Sequence, residues 1–535
     1  MSVTKSRIQL QLEAIKSFWN EFKRVKRGVA GLIIICIFTL LAIIGPYITP
    51  YDPLYPKITE YPAGPAPIAS ELAQPYLHKL LPGGDALSEN MRAVSDYKIS
   101  SYETFQNWSK RVTGQNIEVA YTPNEGYHND GAIKITYTSA TAQPNPTSVS
   151  LTYNFKYPFK NPPGRGGFQL HISYKVDGNF TTESTVTIEL FIKRIQGSEP
   201  LPNYYWRFTT IEDGTVVYIY PIYSDTPLSV NKPLNWTHKW LRSTGLWRIA
   251  PEYTALPWEK VFPTAGDYAF EVKLTFEDKA QSAKTMTVYL DNLDILIYGQ
   301  VFGIFGSDGQ KGTPRDMLSN LIYGARLSVF LGLSAAAISV TIGLFVGLLS
   351  GYFGGILDEV LMRITDILMC LPGLPLILVL IAVLGRSIVT LLILLSFLSW
   401  MGFAREIRSL TLSIRERAFV EAAKAAGASG VYIVTHHILP NVISLVYLSL
   451  ALSVPGVVLS EAALSWLGLY DPKVVSWGRV LSEFTNSGVA STTGFQNYWW
   501  WVILPGAMIS LLTISFILLG YSLDEILNPR LRMRR

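Results

Sequence analysis

Long apolar runs constrain this chain more than any other feature of its sequence. Residues 29–44 form the first run, directly after a basic tail, and apolar segments dominate again from about residue 318 to residue 520. A helix needs about 20 apolar residues to cross a bilayer, so both regions predict membrane-spanning helices. Residues 51–300 contain no run of that length, which predicts a separate soluble domain.

The apolar segments predict six membrane helices, so we expect an α-helical membrane bundle. The predicted bounds are residues 29–45, 325–349, 356–384, 388–401, 441–459 and 499–520. Gly343, Gly347 and Gly351 recur every four residues in the second of these helices. A stripe of small residues lets another helix approach closely, and we expect this one to serve packing within the bundle.

Composition excludes several other classes of protein. Only 16% of the 535 residues are charged, against about 25% in soluble proteins, which excludes an ordinary cytosolic enzyme and a disordered scaffold. Two cysteines cannot build a disulfide framework or a cysteine zinc cluster. Because the formal net charge is only +5, we expect no nucleic-acid partner.

The distribution of basic residues predicts the orientation in the membrane. With the N-terminus inside, 17 Lys and Arg residues fall in cytoplasmic segments and three in the short outer loops, and excess positive charge is typical of cytoplasmic loops. We therefore expect a multi-pass cell-membrane protein with both termini cytoplasmic. The predicted parts are a cytoplasmic tail (1–28), a membrane helix (29–45), an extracytoplasmic domain (51–300), a membrane core (318–521) with a cytoplasmic loop (405–440), and a cytoplasmic C-terminal tail (522–535).

The extracytoplasmic domain shows the period-two alternation of half-buried strands. At least eight such runs are separated by Gly, Pro, Asn or Asp clusters, a pattern that predicts an antiparallel β-sandwich, jelly-roll-like in its connections. The last run, residues 288–298, resembles the closing strand of carbohydrate-binding-module sandwiches. Asp291 and Asp294 are three apart and would point to opposite faces of a regular strand, so we expect no metal site there.

The same domain carries two kinds of candidate site. Trp206, Trp240 and Trp247 could form an aromatic platform for sugar rings, although aromatic residues also fill sandwich cores. The possible N-glycosylation sequons begin at Asn107, Asn179 and Asn235.

Motifs for chemistry are absent from the chain. There is no Gly-Lys pair for a phosphate-binding loop, no His-Glu-x-x-His zinc motif and no Gly-x-Ser-x-Gly nucleophile motif. We therefore expect a non-enzymatic protein that binds no cofactor itself and takes its energy from a partner or a gradient.

The loop at residues 405–440 is the most distinctive segment. Strong helix formers predict a helix over residues 415–426, Gly427 ends it, and Pro440 marks the start of the next membrane helix. By itself this pattern fits either a solvated connector or a helix that docks into a partner, because its alanines permit close approach.

Glu421, Ala422 and Ala423, followed by Gly427 and by Leu439 with Pro440, resemble the coupling loop of ABC importer permeases. Further segments resemble the dipeptide/oligopeptide/nickel permease family. They are residues 18–19 (FW), 46–53, 323–328 (YGARLS), 351–355 (GYFGG), 363–366 with 371–372, 461–468 (EAALSWLG), 476–478 (SWG) and 528–532 (NPRLR).

The resemblance implies a type I ABC importer fold and an alternating-access mechanism. It implies a second, homologous permease subunit, two ATPase subunits that bind ATP and Mg, and an extracytoplasmic solute-binding protein. The residues that it assigns to ATPase coupling are Glu421, Ala422, Ala423, Gly427, Leu439 and Pro440. Glu461 and Trp466 are possible pore or outer-gate residues, although Glu461 could equally cap a helix end or bind the backbone amides of the following turn.

The chain departs from the family pattern in two ways. The family's Gly-Thr-Asp-x-x-Gly-Arg-Asp motif is split here into Gly306-Ser-Asp308 and Arg315-Asp316, and a β domain precedes it. Large outer insertions in this family imply an archaeal source and leave peptides and oligosaccharides both open as substrates. A membrane-anchored lectin or adhesin, and an independent channel or gradient-driven carrier, are the alternative functions.

Overall fold

The computed structural model describes residues 16–49, 51–55, 66–127, 129–139, 145–178, 184–196, 204–211, 215–217, 236–242, 257–278, 284–309, 313–489 and 495–527. The chain divides into two compact units. The membrane unit comprises Met1–Leu54 and Met317–Arg535, and the β unit comprises Tyr55–Asp316.

The described part of the β unit contains twelve strands. They are β1 (Met91–Arg92), β2 (Ser109–Thr113), β3 (Ile117–Thr122), β4 (Ala132–Ser139), β5 (Thr147–Tyr157), β6 (Phe168–Gly178), β7 (Ser184–Gln196), β8 (Tyr204–Ile211), β9 (Thr215–Val217), β10 (Thr237–Arg242), β11 (Gly266–Asp278) and β12 (Lys284–Ile297). Short helices lie at Tyr102–Gln106 and Pro257–Val261.

These strands form two six-stranded antiparallel sheets. The first has the order β10-β6-β12-β4-β3, with β1 paired to β12, and the second has the order β2-β5-β11-β7-β8-β9. Successive strands from β4 to β7, and again from β10 to β12, alternate between the two sheets. This crossing is the jelly-roll type of connection, and it confirms the predicted all-β sandwich.

The sandwich core follows from the period-two pattern of its strands. In β11, Tyr268, Phe270, Val272 and Leu274 are all fully buried, and alternate strand residues share one face. Side chains from both sheets join in one hydrophobic cluster. Each large apolar side chain that becomes buried contributes about 1.5–3 kcal/mol to the free energy of unfolding. Because no cysteine lies in this unit, it has no disulfide, and this core stabilises the fold.

The membrane unit consists of helices. They are α1 (Lys26–Ile48), α2 (Met317–Phe353), α3 (Gly355–Cys370), α4 (Gly373–Leu384), α5 (Ile388–Phe397), α6 (Met401–Arg415), α7 (Ala418–Ala425), α8 (Leu439–Trp466), α9 (Trp477–Asn486) and α10 (Trp499–Leu527). Within the described residues, five helical spans are long and apolar enough to cross a membrane, or six if the bent α3–α4 pair counts as one.

Residues 356–384 are not the single straight helix that the sequence predicted. They form α3 and α4, which meet at an angle of 87°. The break falls at Leu371 and Pro372, where Leu371 is extended with ψ 132°. Proline lacks an N–H for the helix ladder and disfavours the helical conformation of the residue before it, so the apolar run alone did not reveal the bend.

The fourth predicted helix, residues 388–401, is in fact longer. A single span runs over Ile388–Arg415 and includes α5 and α6. Residues 405–415 are therefore helical and continue this span as α6, and the non-helical part of the segment that the sequence placed from residue 405 begins only after Arg415.

The glycine stripe of α2 packs against α6, which confirms its predicted role in the bundle. A Cβ on Gly347 would lie 2.6 Å from the carbonyl oxygen of Ala404, and one on Gly351 would lie 2.7 Å from Cβ of Thr411. Real Cβ atoms do not approach other atoms so closely, so only glycine permits this spacing of the two helices.

Candidate functional site

The helix α7 is the centre of the segment that the sequence singled out. It begins at Ala418, three residues later than predicted, because Arg417 is extended with ψ 145°. It ends in a Schellman motif: the Ala428 N–H donates to the Ala423 carbonyl at 3.1 Å, and the Gly427 N–H donates to Lys424 at 2.9 Å. Gly427 has φ +81°, a left-handed conformation that favours glycine at this position.

One buried side chain holds α7 against the bundle. Val420 is fully buried and belongs to a cluster with α2, α6 and the start of α8. The other members of this cluster are Val340, Leu348, Phe403, Ile407, Ile414, Ile433, Ile438 and Val442. A displacement of α7 would therefore press on three membrane helices through direct contacts.

Two polar contacts brace this helix, and the end of α6 just before it, against the end of α2. Arg415 Nη1 donates a hydrogen bond to the carbonyl oxygen of Tyr352 at 2.9 Å. Lys424 Nζ lies 5.8 Å from the centre of the Tyr352 ring, within the range of a cation–π contact. Tyr352 thus links both ends of the α7 segment to α2.

The remaining surface of this segment is exposed. Glu421, Ala422 and Gly427 are exposed, and Ala423 is half-buried. Pro440 is also exposed and lies in the first turn of α8, after Leu439, where a proline's missing N–H costs no helical hydrogen bond.

Exposed apolar and aromatic side chains border α7, and sequence reasoning missed them. Phe419, Val431 and Tyr432 are 42%, 68% and 47% exposed. Tyr432 stacks on His436 with a centroid distance of 4.1 Å. The rings of Phe419 and Tyr432 both lie against His437, at centroid distances of 6.2 and 5.9 Å, so the folded loop brings these two aromatic side chains close together.

Glu461 lies inside the bundle on α8. Its side chain is 2% exposed, and Ser465 Oγ donates to its Oε1 at 2.7 Å. Trp466, one turn further on, is 53% exposed, and its Nε1 donates to Thr485 Oγ1 at 3.1 Å. The glutamate is therefore bonded to a side chain of its own helix.

The structure separates the predicted aromatic residues of the β unit. Trp206 lies on β8 of the second sheet and Trp240 on β10 of the first, while Trp247 falls outside the described residues. Among the sequon asparagines, Asn107 is exposed after the helix Tyr102–Gln106. Asn179 and Asn235 lie outside the described residues.

The prediction that Asp291 and Asp294 point to opposite faces is wrong. A register shift between them pairs Asp291 with Ser173 and Asp294 with His171, two positions on the same face of β6. Both carboxylates are fully buried. Asp294 lies 3.0 Å from Arg92 Nε. Among the described residues, no three His, Cys, Asp or Glu side chains are placed to hold a metal ion.

Burial shifts the pKa values of two groups in this part of the sandwich. Desolvation raises the pKa of Asp291 to about 7, although the Tyr127 N–H donates to its Oδ2 at 3.0 Å. Burial, followed by the nearby Arg92 charge, lowers the pKa of His171 to about 3.

Folding brings the two halves of the split motif together again. Arg315 Nε donates to Asp308 Oδ2 at 2.6 Å, and the Arg315 N–H donates to Oδ1 at 2.8 Å. Ser307 and Asp316 pair as an isolated β-bridge. A buried ion pair between Asp308 and Arg315 therefore joins the two parts of the motif that flank the extra residues.

Two protein-family models match the chain. "Binding-protein-dependent transport system inner membrane component" matches residues 343–533, and "N-terminal TM domain of oligopeptide transport permease C" matches residues 14–65. The oligopeptide transport system permease protein OppC of Haemophilus influenzae is 35% identical over 230 residues, which are 43% of this chain and 71% of that protein.

The chain is also similar in part to solved structures. The match to the inward-facing MetNI methionine ABC transporter extends over 40% of this chain and 97% of the MetNI chain, with 19% identity and a TM-score of 0.31. The match to a carbohydrate-binding module of the β-sandwich superfamily extends over 38% of this chain and 61% of the module's chain, with 13% identity and a TM-score of 0.22.

The family matches and the helical membrane unit define the class, an inner-membrane component of a binding-protein-dependent transport system. Within that class, the chain belongs to the dipeptide/oligopeptide family of ABC importer permeases. It is therefore a multi-pass, non-catalytic membrane subunit. Membership implies partnership with a second permease, with ATPase subunits that hydrolyse ATP, and with a solute-binding protein.

Proposed function

We propose that this chain forms half of the translocation pore of an ATP-driven peptide importer and couples to an ATPase subunit through residues 421–427. The observation that carries the proposal is the mounting of α7. One buried valine fixes it to α2, α6 and α8, while its other face is exposed for a partner. Two ATPase subunits would bind ATP and Mg, and the permease itself would bind neither.

The contacts of α7 suggest how ATP binding reaches the pore. When the ATPase subunits close on ATP, they push the docked helix, and the buried cluster carries that movement to the membrane helices. Phe419, Val431 and Tyr432 supply apolar contact area at the docking surface, and Glu421 with Lys424 supplies charges at its rim. Leu439 and Pro440 fix where α8 begins beneath it.

Co-purification with the ATPase subunits tests the coupling proposal. Gly427→Trp adds bulk at a left-handed, exposed position, and Glu421→Arg reverses a rim charge, so we expect each to reduce recovery of the ATPase at least tenfold. Glu103→Arg is the matched control, since it reverses an exposed charge in the β unit. Full recovery of the ATPase with both α7 variants would contradict the proposal.

We propose peptides as the substrate because the relative with 35% identity is named an oligopeptide permease. Oligosaccharides are the competing class. A binding assay on the partner solute-binding protein, with a peptide mixture in one arm and oligosaccharides in the other, distinguishes them. Binding of oligosaccharides alone would refute the peptide assignment.

We propose that both termini are cytoplasmic and that the β unit is extracytoplasmic, where it holds the solute-binding protein. The bias of 17 basic residues to three supports the orientation. The separation of Trp206 and Trp240 on different sheets favours a scaffold over a sugar platform. Full chain in nanodiscs should bind the receptor and no oligosaccharide; the reverse result would favour the membrane-anchored lectin.

Labelling of single cysteines tests the orientation. In a background without Cys36 and Cys370, a membrane-impermeant maleimide added to intact cells should label Asn107→Cys and not Lys424→Cys. Labelling of Lys424→Cys alone would reverse the proposed topology.

A further inference from the structure

An arginine without a partner lies in the second membrane span. Arg326 is in α2, nine residues after Met317, which places it roughly 14 Å along the helix. Its side chain is exposed, and its guanidinium makes no hydrogen bond or ion pair with any described residue. Near the end of a membrane helix an arginine side chain reaches the headgroup level, where an unpaired guanidinium can bind an anion.

A cavity beside Arg326 offers a second cation. It has a volume of about 500 Å³, and Lys473, from the loop between α8 and α9, also lines it. The Lys473 ammonium likewise has no partner among the described residues. Asp52 lines the cavity too, and one of its oxygens already accepts from the Leu54 N–H at 2.7 Å. Two cations against one carboxylate make the cavity net positive.

An apolar groove continues from the same arginine. A second cavity of about 390 Å³ runs between α1 and α2, and Arg326 and Phe330 line both cavities. Its walls include Ile43 and Tyr47 of α1. Ile43, Tyr47 and Phe330 are 65%, 88% and 53% exposed, as expected of side chains that meet lipid. Tyrosine at the end of an apolar helix marks the headgroup level.

We propose that this paired site binds an anionic phospholipid. The phosphate lies between Arg326 and Lys473, and an acyl chain follows the groove along Ile43 and Phe330. A charged head joined to an apolar tail is the chemistry that a cationic cavity continuous with an apolar groove accepts. Arginine is suited to the phosphate because its guanidinium can donate two parallel hydrogen bonds.

Lipid titration of the delipidated full chain, followed by native mass spectrometry, tests the site. Dioleoyl phosphatidylglycerol is the probe and dioleoyl phosphatidylcholine the neutral reference. We expect one phosphatidylglycerol to be retained at least tenfold more tightly than phosphatidylcholine. Each of Arg326→Gln and Lys473→Gln should weaken that preference about fivefold. Arg326→Lys keeps the charge but loses the paired donors, so it should weaken the preference less than Arg326→Gln does.

The control is Arg363→Gln, which removes an exposed arginine of α3 that lines neither cavity. It should leave phosphatidylglycerol binding unchanged. The thermal unfolding midpoint of each variant should equal that of the wild type. If Arg326→Gln lowers this midpoint, the lipid preference of Lys473→Gln, which changes only a loop residue, is the test of the site.

Three results would overturn the proposal. One is equal retention of the two lipids by the wild-type chain. Another is an undiminished preference in both glutamine variants. The third is displacement of phosphatidylglycerol by millimolar inorganic phosphate or by a dipeptide, which would identify a free-anion site or a cargo site instead.

Discussion

At the scale of single residues, Gly347 shows how a missing side chain sets the distance between two membrane helices. Gly347→Val would drive a Cβ into the Ala404 carbonyl at 2.6 Å and into Ile407 at 2.7 Å. Overpacking of this kind costs about 1–3 kcal/mol, so we expect a lower thermal midpoint in detergent. Gly456→Ala is the control, because nothing lies within 4 Å of its added Cβ; equal midpoints for both variants would contradict this reading.

Asp291 makes the stability of the β unit depend on pH. Its pKa is about 7 in the fold against an ordinary 3.8, so between about pH 4 and pH 7 the folded state holds a proton that the unfolded state has lost. Asp291 by itself therefore lowers the free energy of unfolding as the pH rises through this window, by at most about 4 kcal/mol. His171 acts in the opposite direction between about pH 3 and pH 6.5, because its lowered pKa leaves it neutral in the fold where the unfolded chain binds a proton. Asp291→Asn should remove this contribution and leave the free energy of unfolding rising with pH over the part of the window below about pH 6.5.

Urea unfolding of residues 55–316 at pH 5 and at pH 7.5 measures the effect. The exposed Glu103→Gln serves as control and should keep the pH dependence of the wild type. An unchanged difference between the two pH values in the Asp291→Asn variant would show that Asp291 is not responsible.

At the scale of elements, an ion pair holds α3, the first helix of the bent α3–α4 pair, against α6. Arg408 donates from Nε and Nη2 to the two carboxylate oxygens of Asp358, each at 2.6 Å. This bidentate hydrogen bonding holds the Asp358 end of α3 close to α6. The Arg405–Asp366 pair joins the same two helices but is more exposed, at 47% and 45%.

A pair of double-mutant cycles compares these two contacts. For Arg408→Gln with Asp358→Asn we expect a coupling free energy of about 1 kcal/mol, from thermal unfolding in detergent. For Arg405→Gln with Asp366→Asn the coupling free energy should be only a few tenths of a kcal/mol, because solvent screens an exposed ion pair. The reverse order of the two couplings would contradict the assignment.

Sequence patterns predicted the elements better than their bends. The glycine at 427 ended α7 where expected, because only a left-handed residue closes that Schellman motif. The 87° turn between α3 and α4, and the continuation of α5 through α6, were missed, because hydropathy records length and not direction. The contacts of Phe419 and Tyr432 with His437 were missed as well, because they depend on how the loop folds back on itself.

At the scale of the whole molecule, the chain is two compact units joined at residues 54–55 and 316–317. Asp52, Leu54 and Tyr323 line one cavity of the membrane unit, so the two connection points of that unit are close together. Replacing residues 56–315 with a Gly-Ser linker of about six residues should therefore leave the membrane unit folded.

Size-exclusion chromatography and thermal unfolding in detergent check this excision. We expect a monodisperse peak and a midpoint within a few degrees of that of the full chain, because the bundle has its own packed clusters. Under the proposed function, recovery of the ATPase would persist and binding of the solute receptor would be lost. Aggregation of the excised chain would show that the membrane unit depends on the β unit.

The sequence by itself determined the two kinds of unit and the family, because hydropathy, strand alternation and short motifs are local properties of the chain. Only the tertiary structure decided which residues meet. It brought Asp291 and Asp294 to one face through a register shift, rejoined Asp308 with Arg315, and placed Arg326 with Lys473 at one cavity. Such placements depend on strand register, on how a loop closes and on packing between helices, which no local pattern records.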